Sequence, residues 1–290
     1  MNHRRAKSLE TAVELSIDPP PPLPAERISL LGVEYLRLKT RDGGDLYLTR
    51  FGAPFREQLD PEGWYAPAWF AAQRTRLVGT STIYRVPTKP VGGVSLNLVV
   101  RFSRVGEEVP IDTLTLYKYP HAEFNSPFEE FALVMHLRAV RAESARPRVL
   151  TKRPLAIYAP AQRLQLWQTG RRQSKIAAKL ARHPEVEIDI LRQYILLYGW
   201  IDGQDAVQSA DALGLPGDRR ETFLADTTRR AIHDLEQHGF RVFDIKPEHV
   251  ILRTRPDGSL LRRRDGRTAY ALVDYELLER FCETDRPVPP

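Results

Sequence analysis

The sequence predicts an α+β fold: an antiparallel sheet comes first, one main helix follows, and a smaller region of helix and hairpin closes the chain. Three observations carry this. Alternating apolar and polar runs, parted by Gly- and Pro-containing turns, occupy much of residues 28–105. The first well-capped helical pattern opens only at Ser126. A second helix then runs into a charged loop, a strand, an Arg-rich turn and a last strand.

The chain has 290 residues, 42% of them hydrophobic and 28% charged, enough to bury a core in one large domain or two modest ones. No apolar run approaches the roughly 18 to 20 residues needed to cross a bilayer. The start, MNHRRAKSLETAVELSIDPP, lacks the apolar segment of a secretory signal, so the expected compartment is the cytoplasm. A single cysteine, Cys282, excludes an internal disulfide framework and a Cys-based structural zinc site. The net charge of +6 favours polyanions such as nucleotides, but the arginines are spread along the chain. The densest cluster, Arg262, Arg263 and Arg264 before Asp265-Gly266-Arg267, reads as a solvated hairpin tip. There is no zinc-finger spacing, RNA-recognition signature or internal repeat, so no specific nucleic-acid partner is expected.

Residues 1–27 contain DPPPPLP, an extended polyproline segment that reads as a disordered tail. Residues 28–75 read as an N-terminal β-hairpin extension turning at Asp42-Gly43-Gly44-Asp45. Strands follow in RLVGTSTIYRVPT and SLNLVVRFSRV, parted by the turn KPVGG. The main helix opens at Asn125-Ser126-Pro127-Phe128-Glu129: Ser126 caps, Pro127 takes the first helical position and Glu129 closes a capping box. It is expected to reach about Arg141. PLAIYAP is a strand, 162–183 a basic helical insert, and QYILLYGWI a continuous apolar strand. Asp218 with Glu221 predicts a second capping box, and Gly239 a left-handed helix stop. HVILRTR and AYALVDY are strands flanking the Arg-rich turn.

Two short stretches carry the chemistry. FRVFDIKPEHVILR packs Asp244, Lys246 and Pro247 into four positions ahead of an apolar run, and LVDYE ends a strand on Asp274. Phosphoryl transfer needs a carboxylate to orient the acceptor hydroxyl, carboxylates or amides to hold magnesium, and cations over the phosphates. DIKPEH resembles the catalytic-loop pattern D-x-K-P-E-N of the protein-kinase-like superfamily, and LVDYE resembles the strand-plus-Asp that reads D-F-G in protein kinases. The resemblance spans 76–278 in the right order. It implies a two-lobed fold, with an antiparallel-sheet N-lobe over 76–201 holding one main helix, and a reduced, partial C-lobe over 202–290. It also implies ATP and Mg2+ as cofactors and a hydroxyl acceptor, either protein Ser/Thr or a small molecule. Within it Gly79 stands where backbone approaches phosphate, Val86 where adenine is covered, and Arg101 where the family has its phosphate-contacting Lys. Glu130 is the carboxylate offered to that cation. Leu197 to Ile201, including Tyr198 and Trp200, correspond to the adenine-binding hinge. Asp244 and Lys246 take the catalytic roles, and Asp274 with His249 the metal.

Departures from the pattern bear on activity. Val242-Phe243 replace the His-Arg pair before the catalytic Asp, so no arginine reads a phosphorylated activation loop. His249 replaces the Asn that holds a second magnesium, and imidazole is a softer ligand. Arg101 replaces Lys, a planar fork for a point charge. The 16 residues after Asp274 hold no activation segment, and Asp-Tyr-Glu resembles small-molecule kinases, where an acidic residue follows the metal Asp. The alternative reading is therefore a pseudokinase, a nucleotide-binding or scaffold module without turnover. In the insert, Lys175, Lys179 and Arg182 share helical spacing, a pattern open to an anionic acceptor, a lipid surface or a plain solvated face.

Overall fold

The structure, a computed structural model, describes residues 25–77, 81–110, 121–143, 149–255, 257–263 and 265–281. The polyproline segment, Gly79, Arg264 and Cys282 lie outside the described residues. In the first part of the chain, β1 (Ala25–Leu30), β2 (Val33–Lys39) and β3 (Asp45–Leu48) form a meander. Three short helices follow, α1 (Arg56–Leu59), α2 (Pro61–Trp64) and α3 (Pro67–Gln73). Then come β4 (Thr75–Arg76), β5 (Ile83–Pro87), β6 (Asn97–Phe102), the main helix α4 (Pro127–Glu143), β7 (Leu150–Thr151) and β8 (Pro154–Ala159). The later elements are α5 (Leu166–Thr169), α6 (Gln173–Arg182), β9 (Ile195–Gly199), β10 (Gln204–Asp205), α7 (Ala206–Ala212) and α8 (Gly217–Glu236). The chain finishes with β11 (Phe240–Val242), β12 (Val250–Leu252), β13 (Tyr270–Leu272) and β14 (Leu278–Arg280).

Among the described residues, eight strands form one antiparallel sheet in the order β1-β2-β3-β8-β9-β6-β5-β4. Residues 28–75, expected as a separate hairpin extension, therefore carry three of that sheet's eight strands, β1 to β3. Strand β3 pairs with β8 from Asp45↔Ala159 to Leu48↔Ala156, and the turn at 40–44, which brings β3 back along β2, closes through Thr40 and Gly44. A smaller sheet runs β10-β12-β13-β7, with β13 and β7 parallel, and β11 pairs with β14 in a separate ribbon.

Alternation along the strands buries both faces of the large sheet. Leu98, Val100 and Leu197 point to one face, covered by Leu59, Trp64 and Phe70 of α1 to α3. Each of those helices is one or two turns long, too short to show a 3.6-residue period; Asp60 caps α2 by accepting from the Glu62 amide, and Pro61 and Pro67 open α2 and α3. Val99, Leu196 and Tyr198 point to the other face, covered by Phe128, Phe131 and Val134 of α4. Tyr35, Tyr47 and Phe128 meet edge to face at centroid separations of 5.2 to 6.3 Å, fixing where α4 lies. Gly52, after β3, is pressed against β8 so closely that a Cβ there would lie 2.1 Å from the Leu155 carbonyl oxygen.

The predicted capping box of α4 is present: Ser126 Oγ accepts from the Glu129 amide, and Glu129 Oε2 accepts from the Ser126 amide. The box predicted at Asp218 and Glu221 is not. Helix α8 begins at Gly217 with Pro216 at the cap and no side-chain capping bond, which puts Asp218 inside the first turn, where it meets the helix dipole instead. Gly239 has φ +76, as its place after the helix requires. The insert is two helices, broken at Gly170 with φ +66. Each of its three spaced cations has a carboxylate partner, and they differ in exposure: Arg182 stays on a solvated face, Lys175 is half-buried and Lys179 is buried. Lys175 pairs with Glu108 at 2.7 Å, Lys179 is buried against Glu129 at 2.9 Å, and Arg182 meets Glu123 at 2.5 Å. The Arg-rich segment is a hairpin tip as expected, with Arg262 bridged to Thr268.

Candidate functional site

Backbone pairing brings the two charged stretches together. The β11–β14 ribbon sets Val242 opposite Leu278, just before Asp244 and just after Glu276. The Val273 amide donates to the His249 carbonyl at 3.2 Å, which lays Asp274 beside the short 3-10 turn Pro247–His249. Asp244, Lys246, His249, Asp274 and Glu276 consequently line one cleft with Arg104, its water-accessible interior about 40 Å3. That is room for roughly three waters. Lys246 Nζ donates to Asp244 Oδ2 at 2.8 Å, and both side chains are open to solvent. His249 Nε2 lies 3.6 Å from Asp274 Oδ2.

Behind the cleft lies a buried charge cluster. Arg101 Nη2 on β6 pairs with Glu130 Oε2 on α4, as the sequence expects, and Tyr198 Oη donates to the other oxygen of Glu130. Arg101 Nη1 lies 2.5 Å from Glu276 Oε1. Ser81 Oγ lies 2.7 and 2.9 Å from the two oxygens of Glu276. Lys152 completes the group, 97% buried, its ammonium 4.7 Å from the Tyr198 ring centre and 5.5 Å from that of Tyr275. Its backbone amide donates to Tyr275 Oη at 2.9 Å.

These positions shift the ionisations. Burial disfavours the Arg101 charge, but Glu130 and Glu276 outweigh it and hold the guanidinium protonated. Burial pushes the Glu130 carboxyl up while Arg101 and Tyr198 pull it back; the pair is ionic because a guanidinium does not give up its proton. Burial lowers Lys152 to about 8, with repulsion from Arg101 adding to it and the carboxylates opposing it. Burial would raise Asp274, yet His249, Arg101 and Lys152 hold it below the ordinary carboxylate range.

The remaining expected residues are elsewhere. Val86 is buried on the opposite face of the sheet, paired across from Leu98 under the short helices, and does not share a face with Arg101. Its strand's alternation turns it away from the cleft. Tyr198 is in the core, its role a hydroxyl on Glu130. The Gly199 and Trp200 amides, expected to face adenine, donate to the Arg153 and Asn97 carbonyls, and the Trp200 ring lies under Arg85 at 4.6 Å. Gly79 lies outside the described residues. Sequence reasoning missed Lys152 and Ser81, which sit on irregular backbone and follow no period; Glu276 had a signal in the acidic residue that follows Asp274.

No protein-family model matches the chain, and no curated protein matches it. Among solved structures it is similar to a crystal structure of Rad53 1-466 in complex with AMP-PNP, at 10% identity and a TM-score of 0.29. The match covers 84% of this chain and 61% of that one, so the chain spans about three fifths of its length. A likeness at that level adds nothing to the geometry above.

Proposed function

We propose that the chain is an ATP- and magnesium-dependent phosphotransferase of the protein-kinase-like fold, acting on a hydroxyl acceptor, protein or small molecule. The observation that carries this reading is the meeting of Asp244, Lys246, His249 and Asp274 on one cleft, with the Arg101–Glu130 pair directly behind it. Asp244 is the group to orient the acceptor hydroxyl and take its proton, and Lys246 the cation to neutralise the transferring phosphoryl group. Arg101, fixed by Glu130, is the candidate for holding the nucleotide phosphates.

The cleft offers magnesium a small donor set, Asp274 with His249 beside it. Among the described residues no group of three or more His, Cys, Asp or Glu is placed to hold a metal. Magnesium commonly takes one or two carboxylates and completes its shell with water and phosphate oxygens, so Asp274 meets the minimum. His249 is the weaker partner: its Nδ1 is buried with no hydrogen-bond partner among the described residues. A bound magnesium would supply charge neutralisation at the phosphates.

A second reading, a nucleotide-binding or scaffold module without turnover, is favoured by one specific observation. Both terminal nitrogens of Arg101 are held by carboxylates of the chain itself.

The two are separated by thermal shift and ATP turnover of the purified chain, with and without magnesium, beside Asp244→Asn and Asp274→Asn. The first reading expects magnesium-dependent turnover that falls at least about 100-fold in Asp244→Asn, the scale of lost general-base catalysis. Turnover persisting in that variant would sink the catalytic assignment. Magnesium-dependent stabilisation by ATP with no turnover favours the second reading.

A further inference from the structure

Glu276 separates the cleft from the buried cations. Its side chain borders the cleft, while Arg101 and Ser81, which hold its carboxylate, are only 4% and 5% exposed. The carboxylate receives a guanidinium edge at 2.5 Å and a hydroxyl at 2.7 and 2.9 Å. Fixed guanidinium donors beside a hydroxyl suit an oxyanion, and phosphate as well as carboxylate.

Arg101 is already balanced by Glu130, which has Tyr198 as a second partner. Glu276 is the second carboxylate on the same guanidinium, and Ser81 gives it a hydroxyl partner outside that pair. Arg101 and Lys152 against Glu130 and Glu276 make two cations and two carboxylates, so a phosphate oxygen entering beside Glu276 would add uncompensated negative charge, whereas a singly charged one taking its place would keep the count.

We propose that Arg101 Nη1 and Ser81 Oγ form an anion subsite for a phosphate group of the nucleotide, occupied here by Glu276 as an internal carboxylate that the incoming phosphate displaces. This rests on the reading of the cleft as a nucleotide site. The carboxylate is tethered two residues from Asp274, so it competes at high effective concentration and sets the affinity for polyphosphate.

The test is calorimetric titration of the full chain with inorganic pyrophosphate and, separately, with ATP and magnesium. Wild type is compared with Glu276→Gln and with the double variant Glu276→Gln/Ser81→Ala. Glu276→Gln is expected to bind pyrophosphate at least about tenfold more tightly, and the added Ser81→Ala to take back several-fold of that gain. If Glu276→Gln does not fold, Glu276→Asp, which withdraws the carboxylate by one methylene, carries the same expectation. Equal pyrophosphate affinity in folded wild type and variant overturns the subsite, as does a gain untouched by Ser81→Ala, which would be a general charge effect. The two readings fail differently. ATP binding by wild type with no gain in Glu276→Gln removes the internal carboxylate and leaves the nucleotide site. A pyrophosphate gain with no ATP binding in either protein keeps the subsite and removes the nucleotide.

Discussion

Lys152 is the residue whose cost is easiest to measure. Its pKa in the folded protein is lowered from 10.5 to about 8 because burial strips water from the ammonium and the two tyrosine rings replace only part of it. Below pH 8 the lysine is protonated in folded and unfolded chains alike, and the folded state bears the full penalty. Between about 8 and 10.5 the unfolded chain binds the extra proton, so stability rises with pH across that window. The gain is on the order of 3 kcal/mol. Denaturant unfolding of wild type and Lys152→Met at pH 7.5, 9 and 10.5 should show the difference between them changing by that amount, in the direction of a wild type that improves as pH rises. A flat difference would mean that the ammonium is hydrated. Chemistry at this scale was partly legible. Asp244, Lys246, Asp274, Arg101 and Glu130 announce themselves as charges beside apolar runs, and the Arg101–Glu130 pair follows from a carboxylate on the apolar face of a helix, which needs a cation. Lys152 and Ser81 do not announce themselves, because their meaning comes from what the fold sets next to them.

Helix α4 is the element on which the cluster depends, since it carries Glu130 and presses Phe131 onto Tyr198 at 5.1 Å. Its start is held by the Ser126–Glu129 box, and Glu129 also draws in Lys179 of α6 and His183 just after it. Ser126→Ala leaves the Glu129 amide without its acceptor and should cost about 1 kcal/mol in equilibrium unfolding. A change below a few tenths of a kcal/mol would show that the Glu129 contacts alone fix the start. Elements with strong local signals were legible: the α4 cap, the 40–44 turn, the Gly239 stop and the apolar run of β9. Helices α1 to α3 and the start of α8 were not. The first three are too short to show a 3.6-residue period, and in α8 the Pro216-Gly217 step outcompetes the Asp218 cap.

At the scale of the whole molecule, the sheet order fixes a gradient of protection. Strand β9 is paired on both sides, by β8 and β6, whereas β4 is a two-residue edge strand. Hydrogen exchange should find the amides of Ile195–Gly199 among the slowest and those of Thr75–Arg76 among the fastest, because edge strands open without disturbing the rest. Comparable rates would contradict the central place of β9. This order was beyond reach of sequence pattern, which identifies strands but not partners; the pairing of β3 with β8 joins residues more than 100 positions apart and merges what read as an extension into the main sheet.

The parallel pairing of β7 with β13 has a mechanical result. The chain leaves the small sheet at Thr151 and enters the large one at Pro154, and it returns between Gly199 at the end of β9 and Gln204 at the start of β10. With the passage through α4 from β6 to β7, the chain crosses between the two sheets three times. Val250, Leu252, Tyr270 and Leu272 of the small sheet share one apolar core with Val99, Leu196 and Tyr198 of the large one, so the two sheets are stitched as well as packed. Lys152 lies on the shortest of those crossings, between Thr151 and Pro154, which is how a residue of no regular element holds a fixed place beside both.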